Sequence, residues 1–204
     1  AAAVAAQQTW AAPVVGYFLD HDNYAHSSGT PNTPSFARAN YTTKMKHIYS
    51  MQNLTFGADG GLTAACHGRH PTEPHLCFMS PHMQDVVLAP IFVFNSKYDA
   101  WQLANELQTK WATKAEQAAV VQYGVDFLDA FAPVRANPKN GAMITSCICH
   151  GCPWADLELE GKTTYQHYAA WVHGTDHGAA AIHIDSRLPN GGGAIKSSRC
   201  SAFP

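Results

Sequence analysis

Charge is scarce in this chain. Only 14 % of its 204 residues are Asp, Glu, Lys or Arg, and 13 basic against 15 acidic residues leave a net charge of −2. A nucleic-acid binder needs a concentrated basic footprint, and neither that nor an acidic tail is present. No apolar run approaches the ~18 residues of a membrane-spanning helix. The opening, Ala1-Ala-Ala-Val-Ala-Ala-Gln-Gln-Thr-Trp10, has neither the basic start nor the long apolar core of a secretory signal. It reads as the tail of a helix, so processing upstream of residue 1 is expected. No internal repeat is visible.

What is present points outward from the cell. Six cysteines (Cys66, Cys77, Cys147, Cys149, Cys152 and Cys200) make an even set, and the sequons Asn40-Tyr41-Thr42 and Asn53-Leu54-Thr55 offer glycosylation at Asn40 and Asn53. Together with the low charge these favour a secreted, extracellular or cell-surface protein with oxidised cysteines. Hydrophobic residues make up 46 % of the chain, a globular proportion. The length suits one domain or part of a larger one.

Pro90 to Phe94 is apolar and rich in β-formers, as a strand buried on both faces would be. Asn95 to Tyr98 form a loop, Asp99 follows, and a helix is expected from Trp101 to Lys110. Val14-Val-Gly-Tyr-Phe-Leu-Asp20 reads as another buried strand, and Ala142 to Ser146 as a third. Helices are expected over Phe36–Asn53, Ala115–Phe131 and Tyr165–His173. The second carries Val120, Gly124, Phe127, Leu128 and Phe131 on one stripe. Trp154 to Lys162 alternates acids with leucines and suits a short edge strand. The loop from Cys66 to Cys77 is too rich in Pro and Gly for regular structure. Its ends suit a disulfide, although His67, His70 and His75 offer a metal alternative with the two thiols. The loop lacks a Cys-x-x-Cys knuckle, which favours the disulfide in an oxidising setting.

Strands alternating with helices imply an α/β fold with a parallel sheet. Three central strands with their helices would not cover both faces and both edges. The strand at Val14 would be an unpaired edge, so a missing upstream part is expected.

An acid after one strand and a histidine after the next, about fifty residues on, is the acid-then-His order of α/β-hydrolases. Asp99 would orient the imidazole of His150, and His150 would take the proton of a nucleophile. Asp99 is equally suited to cap the helix that follows it. No Gly-x-Ser-x-Gly elbow occurs. Ser28, Ser80 and Ser96 lack the strand-to-helix setting, and Cys149 adjoins His150 too closely to serve. The chain therefore offers no nucleophile.

Val14 to Asp20, Ile91-Phe-Val-Phe-Asn-Ser-Lys-Tyr-Asp-Ala-Trp-Gln-Leu103 and Ser146-Cys-Ile-Cys-His150 resemble three consecutive blocks of the pectin acetylesterase/Notum family. The segment Trp154 to Tyr165 is similar too, so the resemblance runs in order over roughly residues 12 to 175. It implies a secreted α/β-hydrolase-type serine carboxylesterase, with Asp99 as triad acid and His150 as triad base. It supports a Cys66–Cys77 disulfide. It places the nucleophilic serine and the oxyanion loop upstream of Val14. Residues 1–204 are thus expected to be the C-terminal part of a single α/β-hydrolase-like domain, completed by an upstream segment or a separate chain of the same precursor. The substrate implied is an acylated polysaccharide or acylated protein, with no cofactor. Two departures stand out. Gly151 intervenes between His150 and Cys152, leaving the pairing of Cys147, Cys149, Cys152 and Cys200 open. The His- and Gly-rich tail lacks a cysteine-dense ending.

Two competing readings remain. One is a non-catalytic, hydrolase-derived structural or binding component of an extracellular assembly. The other is a metal-binding protein, with His173-Gly-Thr-Asp-His177 and His183-Ile-Asp185 as candidate clusters. Gly174 and Gly178 weaken any helix there. Solvated polar loop is the expected state of those residues, and no metal is expected.

Overall fold

The computed structural model describes residues 9–24, 39–52, 62–152, 155 and 157–189. At its centre, β1 (Phe92–Ser96) and β2 (Gly141–Thr145) are buried at every position. They pair in parallel, Phe92 opposite Gly141 and Ser96 opposite Thr145. A small antiparallel hairpin of β3 (Glu158–Leu159) and β4 (Lys162–Thr163) follows. Then β5 (Ile182–Ile184) joins β2 in parallel, giving the order β1-β2-β5.

The helices are α1 (Tyr41–Met51), α2 (Leu62–Arg69), α3 (Ser80–Met83), α4 (Ala100–Asn105), α5 (Lys114–Ala130), α6 (Ala132–Ala136) and α7 (Thr164–Val172). Alternate strand residues point to opposite faces. Val93, Ala142 and Ile144 accordingly share a core with Val120, Tyr123, Phe127 and Phe131 on the α5 side. Phe92, Phe94 and Met143 share another with Leu157 and Trp171 on the α7 side. Each such fully buried apolar side chain contributes about 1.5–3 kcal/mol. The stripe read from α5 is thus the face laid on the sheet. Capping boxes start α5 (Thr113 with Glu116) and α7 (Thr163 with Gln166). Gly141 lets α7 sit close, since a Cβ there would lie 2.6 Å from the Phe92 ring and 2.9 Å from Trp171.

Several expectations need correction. Of the expectation that both faces and both edges would not be covered, the part about the faces is corrected: α5 packs on one face and α7 on the other. The segment at Val14 is no regular strand: it meets β1 through two isolated parallel bridges, Ala11 with Ile91 and Val14 with Phe94. Val15, at φ 48°, turns the backbone out of the ladder. Tyr17 N–H then bonds Asn95 Oδ1 at 3.4 Å, and Tyr17 and Leu19 drop into the α5-side core. The segment from Cys66 to Cys77 is largely regular, with the last turn of α2 and a 3₁₀ turn over Pro74–Phe78 joined by a Cys66–Cys77 disulfide. The helix expected to reach Lys110 ends at Asn105, because Gln108 and Trp111 adopt left-handed φ values of 58° and 45°.

Candidate active site

Asp99 closes the loop after β1, and His150 lies in the loop after β2, so the parallel register brings both to one end of the sheet. His150 Nδ1 donates to the carboxylate, 3.0 Å from Oδ1 and 2.9 Å from Oδ2. Asp99 Oδ1 also accepts from the backbone N–H groups of Trp101 (2.9 Å) and Gln102 (3.0 Å), capping α4. The Asp99 side chain is fully buried, whereas that of His150 is 40 % exposed. Burial pushes the Asp99 carboxyl above its usual range, and the three N–H donors oppose that rise.

The two loops are stitched together. Ala100 N–H donates to Cys149 O at 3.3 Å, and Lys97 N–H to Thr145 O at 3.0 Å. A disulfide joins Cys149 to Cys152 across His150, and Gly151 at φ 64° turns the chain within it. That bond answers part of the open cysteine pairing. Cys147 is also disulfide-bonded, and Cys200 lies outside the described residues. The short loop gives His150 little freedom to leave Asp99.

Other candidates fall where their chemistry is used up. Ser96 Oγ donates toward Thr145 O and Cys147 O and accepts from Tyr98 N–H at 3.0 Å. Ser80 Oγ accepts from Phe18 N–H at 3.2 Å and donates to Gly16 O at 3.1 Å. Ser28 and Asn53 lie outside the described residues. Asn40 caps α1, accepting from Thr43 N–H at 2.8 Å.

Three groups escaped the sequence reading. Phe18, Tyr41 and Trp101 form an aromatic wall, with ring centroids 5.3–6.1 Å apart, and Trp101 lies 6.3 Å from the His150 ring. The position of Trp101, two residues past Asp99, is its only trace in the sequence. Lys97, buried after β1, donates to Asp185 O at 2.9 Å, and Asp185 bonds Ser146 and Arg187, tying the end of β5 to the same loops. Behind Asp99, a fully buried row runs through Gln102, Tyr123 and Glu106.

In that row Gln102 Nε2 donates to Tyr17 O at 3.0 Å, which turns its Oε1 to the Tyr123 hydroxyl at 2.7 Å. Tyr123 also lies 2.8 Å from Glu106 Oε1. One phenolic proton serves one acceptor, so the second bond needs a proton on Glu106. Burial accordingly pushes the Glu106 carboxyl well above its usual range, against the Tyr123 hydrogen bond that opposes it. A folded state that holds this proton more tightly than the unfolded chain is most stabilised below the unfolded carboxyl range, about 4.3. The contribution is then lost as pH rises through the folded pKa. Glu106→Gln mimics the protonated acid and should remove that loss. Thermal melts should show the variant more stable than wild type at pH 8, with the difference vanishing near pH 4. Parallel pH profiles for the two proteins would refute the protonated state.

A parallel sheet whose first strand ends on a buried acid and whose second ends on the histidine that acid holds matches the acid-then-histidine layout of an α/β-hydrolase-like fold. The pectinacetylesterase family model matches residues 8–192, and the chain belongs to that family. Pectin acetylesterase 11 of Arabidopsis thaliana is 30 % identical over 122 residues, covering 52 % of this chain and 31 % of that protein. Pectin acetylesterase 7 of the same plant is 25 % identical over 122 residues, with the same coverage of 52 % and 31 %. The chain thus spans about a third of the length of these curated relatives. Among solved structures, the Wnt deacylase Notum from Drosophila superposes with a TM-score of 0.69 at 17 % identity, over 88 % of this chain and 46 % of that one. A second crystal form gives 0.68 at 18 %, over 89 % and 47 %. At that identity the likeness is one of fold.

Proposed function

We propose that this chain supplies the acid and base of a Ser-His-Asp triad in a secreted carboxylic ester hydrolase of the pectin acetylesterase type. The serine would lie on an upstream segment or on a partner chain of the same precursor, with residues 1–204 forming the C-terminal part of one shared domain. The observation that carries this reading is the fully buried Asp99 carboxylate bonded to Nδ1 of a half-exposed His150.

With Nδ1–H held by Asp99, the free lone pair of the neutral ring is on Nε2. Nε2 takes the serine proton as the hydroxyl attacks the ester carbonyl, and the buried carboxylate stabilises the imidazolium. His150 returns that proton to the departing alcohol, leaving an acyl-enzyme. Water, deprotonated by the same nitrogen, then releases the acid and the serine. The wall of Phe18, Tyr41 and Trp101 gives an acyl group an apolar surface beside His150. An acylated polysaccharide or acylated protein is the substrate class this reading favours, and no cofactor takes part. Cysteines held in disulfides suit an extracellular or cell-surface setting, with Asn40 and Asn53 as glycan acceptors.

A fluorophosphonate probe applied to the full-length precursor, or to this chain with whatever co-purifies, tests the proposal. Labelling of one serine outside residues 1–204, lost on His150→Ala, is the expected result. An unlabelled assembly of native fold would leave the non-catalytic, hydrolase-derived component as the remaining reading.

A further inference from the structure

On the α7 side of the sheet, His167, Asp176 and His183 meet, although they come from a helix, a turn and a strand. The sequence reading paired His183 with Asp185 and expected a solvated loop. Instead His183 lies in β5 at 8 % exposure, His167 in α7 at 1 %, and the two rings stack with centroids 3.7 Å apart. Asp185 is occupied elsewhere, by Ser146 and Arg187.

The hydrogen bonds fix which nitrogens carry protons. His167 Nε2 donates to Leu159 O at 2.9 Å, so a neutral ring has its lone pair on Nδ1. His183 Nδ1 donates to Glu160 Oε2 at 2.8 Å, which leaves the lone pair on Nε2. The three atoms turned inward, His167 Nδ1, His183 Nε2 and Asp176 Oδ2, are buried and have no hydrogen-bond partner. One ligand atom from each residue lies within 4.8 Å of the other two, and His183 Nε2 stands 3.9 Å from Asp176 Oδ2. With both rings neutral, three acceptors converge with no proton among them and repel unless a cation sits between them. The cation at hand, Lys162 Nζ, stands 3.7 Å from Asp176 Oδ2 on a side chain 49 % exposed.

We propose that His167, Asp176 and His183 form a zinc site that pins the edge strand β5 to α7. Two neutral imidazoles and one carboxylate are a common zinc donor set, with bonds of about 2.0–2.2 Å and a fourth position left to water. Tetrahedral ligands at those lengths stand about 3.4 Å apart, so the trio needs only a modest contraction around the ion. The outer contacts also suit a metal: a backbone carbonyl and a carboxylate orient the two rings through their far nitrogens. The turn is held in place by Thr175 and Asp176 N–H groups, both bonded to Ala170 O. The site lies outside the Asp99–His150 pair and does not depend on the esterase reading.

The test uses full-length protein, stripped by a chelator, desalted and returned to zinc alone. Metal analysis should find one zinc retained per chain, and saturation at ~100-fold above Kd should raise Tm by about 5 °C or more. Cobalt in place of zinc should give the visible bands of a tetrahedral nitrogen and oxygen site. Asp176→Asn and His183→Gln should each weaken zinc by more than about 100-fold. No retained zinc with an unchanged Tm would overturn the site, as would unchanged affinity in both variants. A cobalt spectrum lacking those tetrahedral bands would also overturn it. The cobalt spectrum is read on the wild-type protein, so it decides the matter even where a variant misfolds.

Discussion

Asp99→Asn in the full-length protein should lower kcat by about 10³–10⁴-fold while leaving the melting temperature almost unchanged. The separation follows from the two roles of this side chain. As the α4 cap it needs one acceptor oxygen for the N–H groups of Trp101 and Gln102, and Asn supplies that as well as Asp does. As the partner of His150 it needs a second acceptor facing Nδ1, which lies 2.9 Å away. An amide that keeps its oxygen on the cap turns its NH₂ toward that nitrogen. The imidazole must then carry its proton on Nε2, where it can no longer accept one from a serine. Asp99→Ala should match the loss in kcat and add about 1 kcal/mol of lost capping. His150→Ala should match the kcat loss with the cap intact. Combining Asp99→Asn with His150→Ala should cost little more than either alone, as expected of residues acting as one unit. A loss below about tenfold for Asp99→Asn would remove Asp99 from the triad.

The parts of the fold legible in the sequence are those whose burial is simple. Pro90 to Phe94 and Ala142 to Ser146 are short apolar runs because both faces of their strands are covered, and the stripe on α5 shows helical period. Cap and imidazole partner are rival readings of Asp99 in the sequence, yet one carboxylate does both: Oδ1 accepts from the two backbone N–H groups while His150 Nδ1 spans both oxygens. β5 was missed because Ile182-His183-Ile184 has only three residues and a histidine at its centre. Nothing local reveals that this histidine is buried. That burial comes from α7 and the hairpin of β3 and β4, brought in by the fold. For the same reason closeness in sequence pairs His173 with His177 and His183 with Asp185, and gives no sign of His167. The strand expected at Val14 failed on one backbone angle at Val15, which a β-branched residue gives no reason to anticipate.

Gly124→Ala is expected to damage both stability and turnover, although it lies outside the Asp99–His150 pair. Gly124 lies on the buried stripe of α5, where alanine would ordinarily favour the helix by about 1 kcal/mol. Here a Cβ would stand 2.3 Å from Cε1 of the Tyr98 ring and 2.6 Å from Cζ. Tyr98 is 2 % exposed and packed in the α5-side core, so the ring has no open space to enter. It must move by about 1 Å to restore normal contact, and overpacking of this kind costs about 1–3 kcal/mol. Tyr98 immediately precedes Asp99, and its N–H is tied to Ser96 Oγ, so displacement passes along the loop to the carboxylate. A shift of about 1 Å at a catalytic group can cost about 100-fold in rate. The expected outcome is a folded protein with a Tm several degrees lower and kcat down by about 100-fold, against a KM that changes little. Replacing Tyr98 by Leu removes the obstructing ring edge. Gly124→Ala introduced into a Tyr98→Leu background should then cost much less in both Tm and kcat, and the coupling measures the contact. Full additivity of the two substitutions would show that α5 does not position the Asp99 loop through this pair.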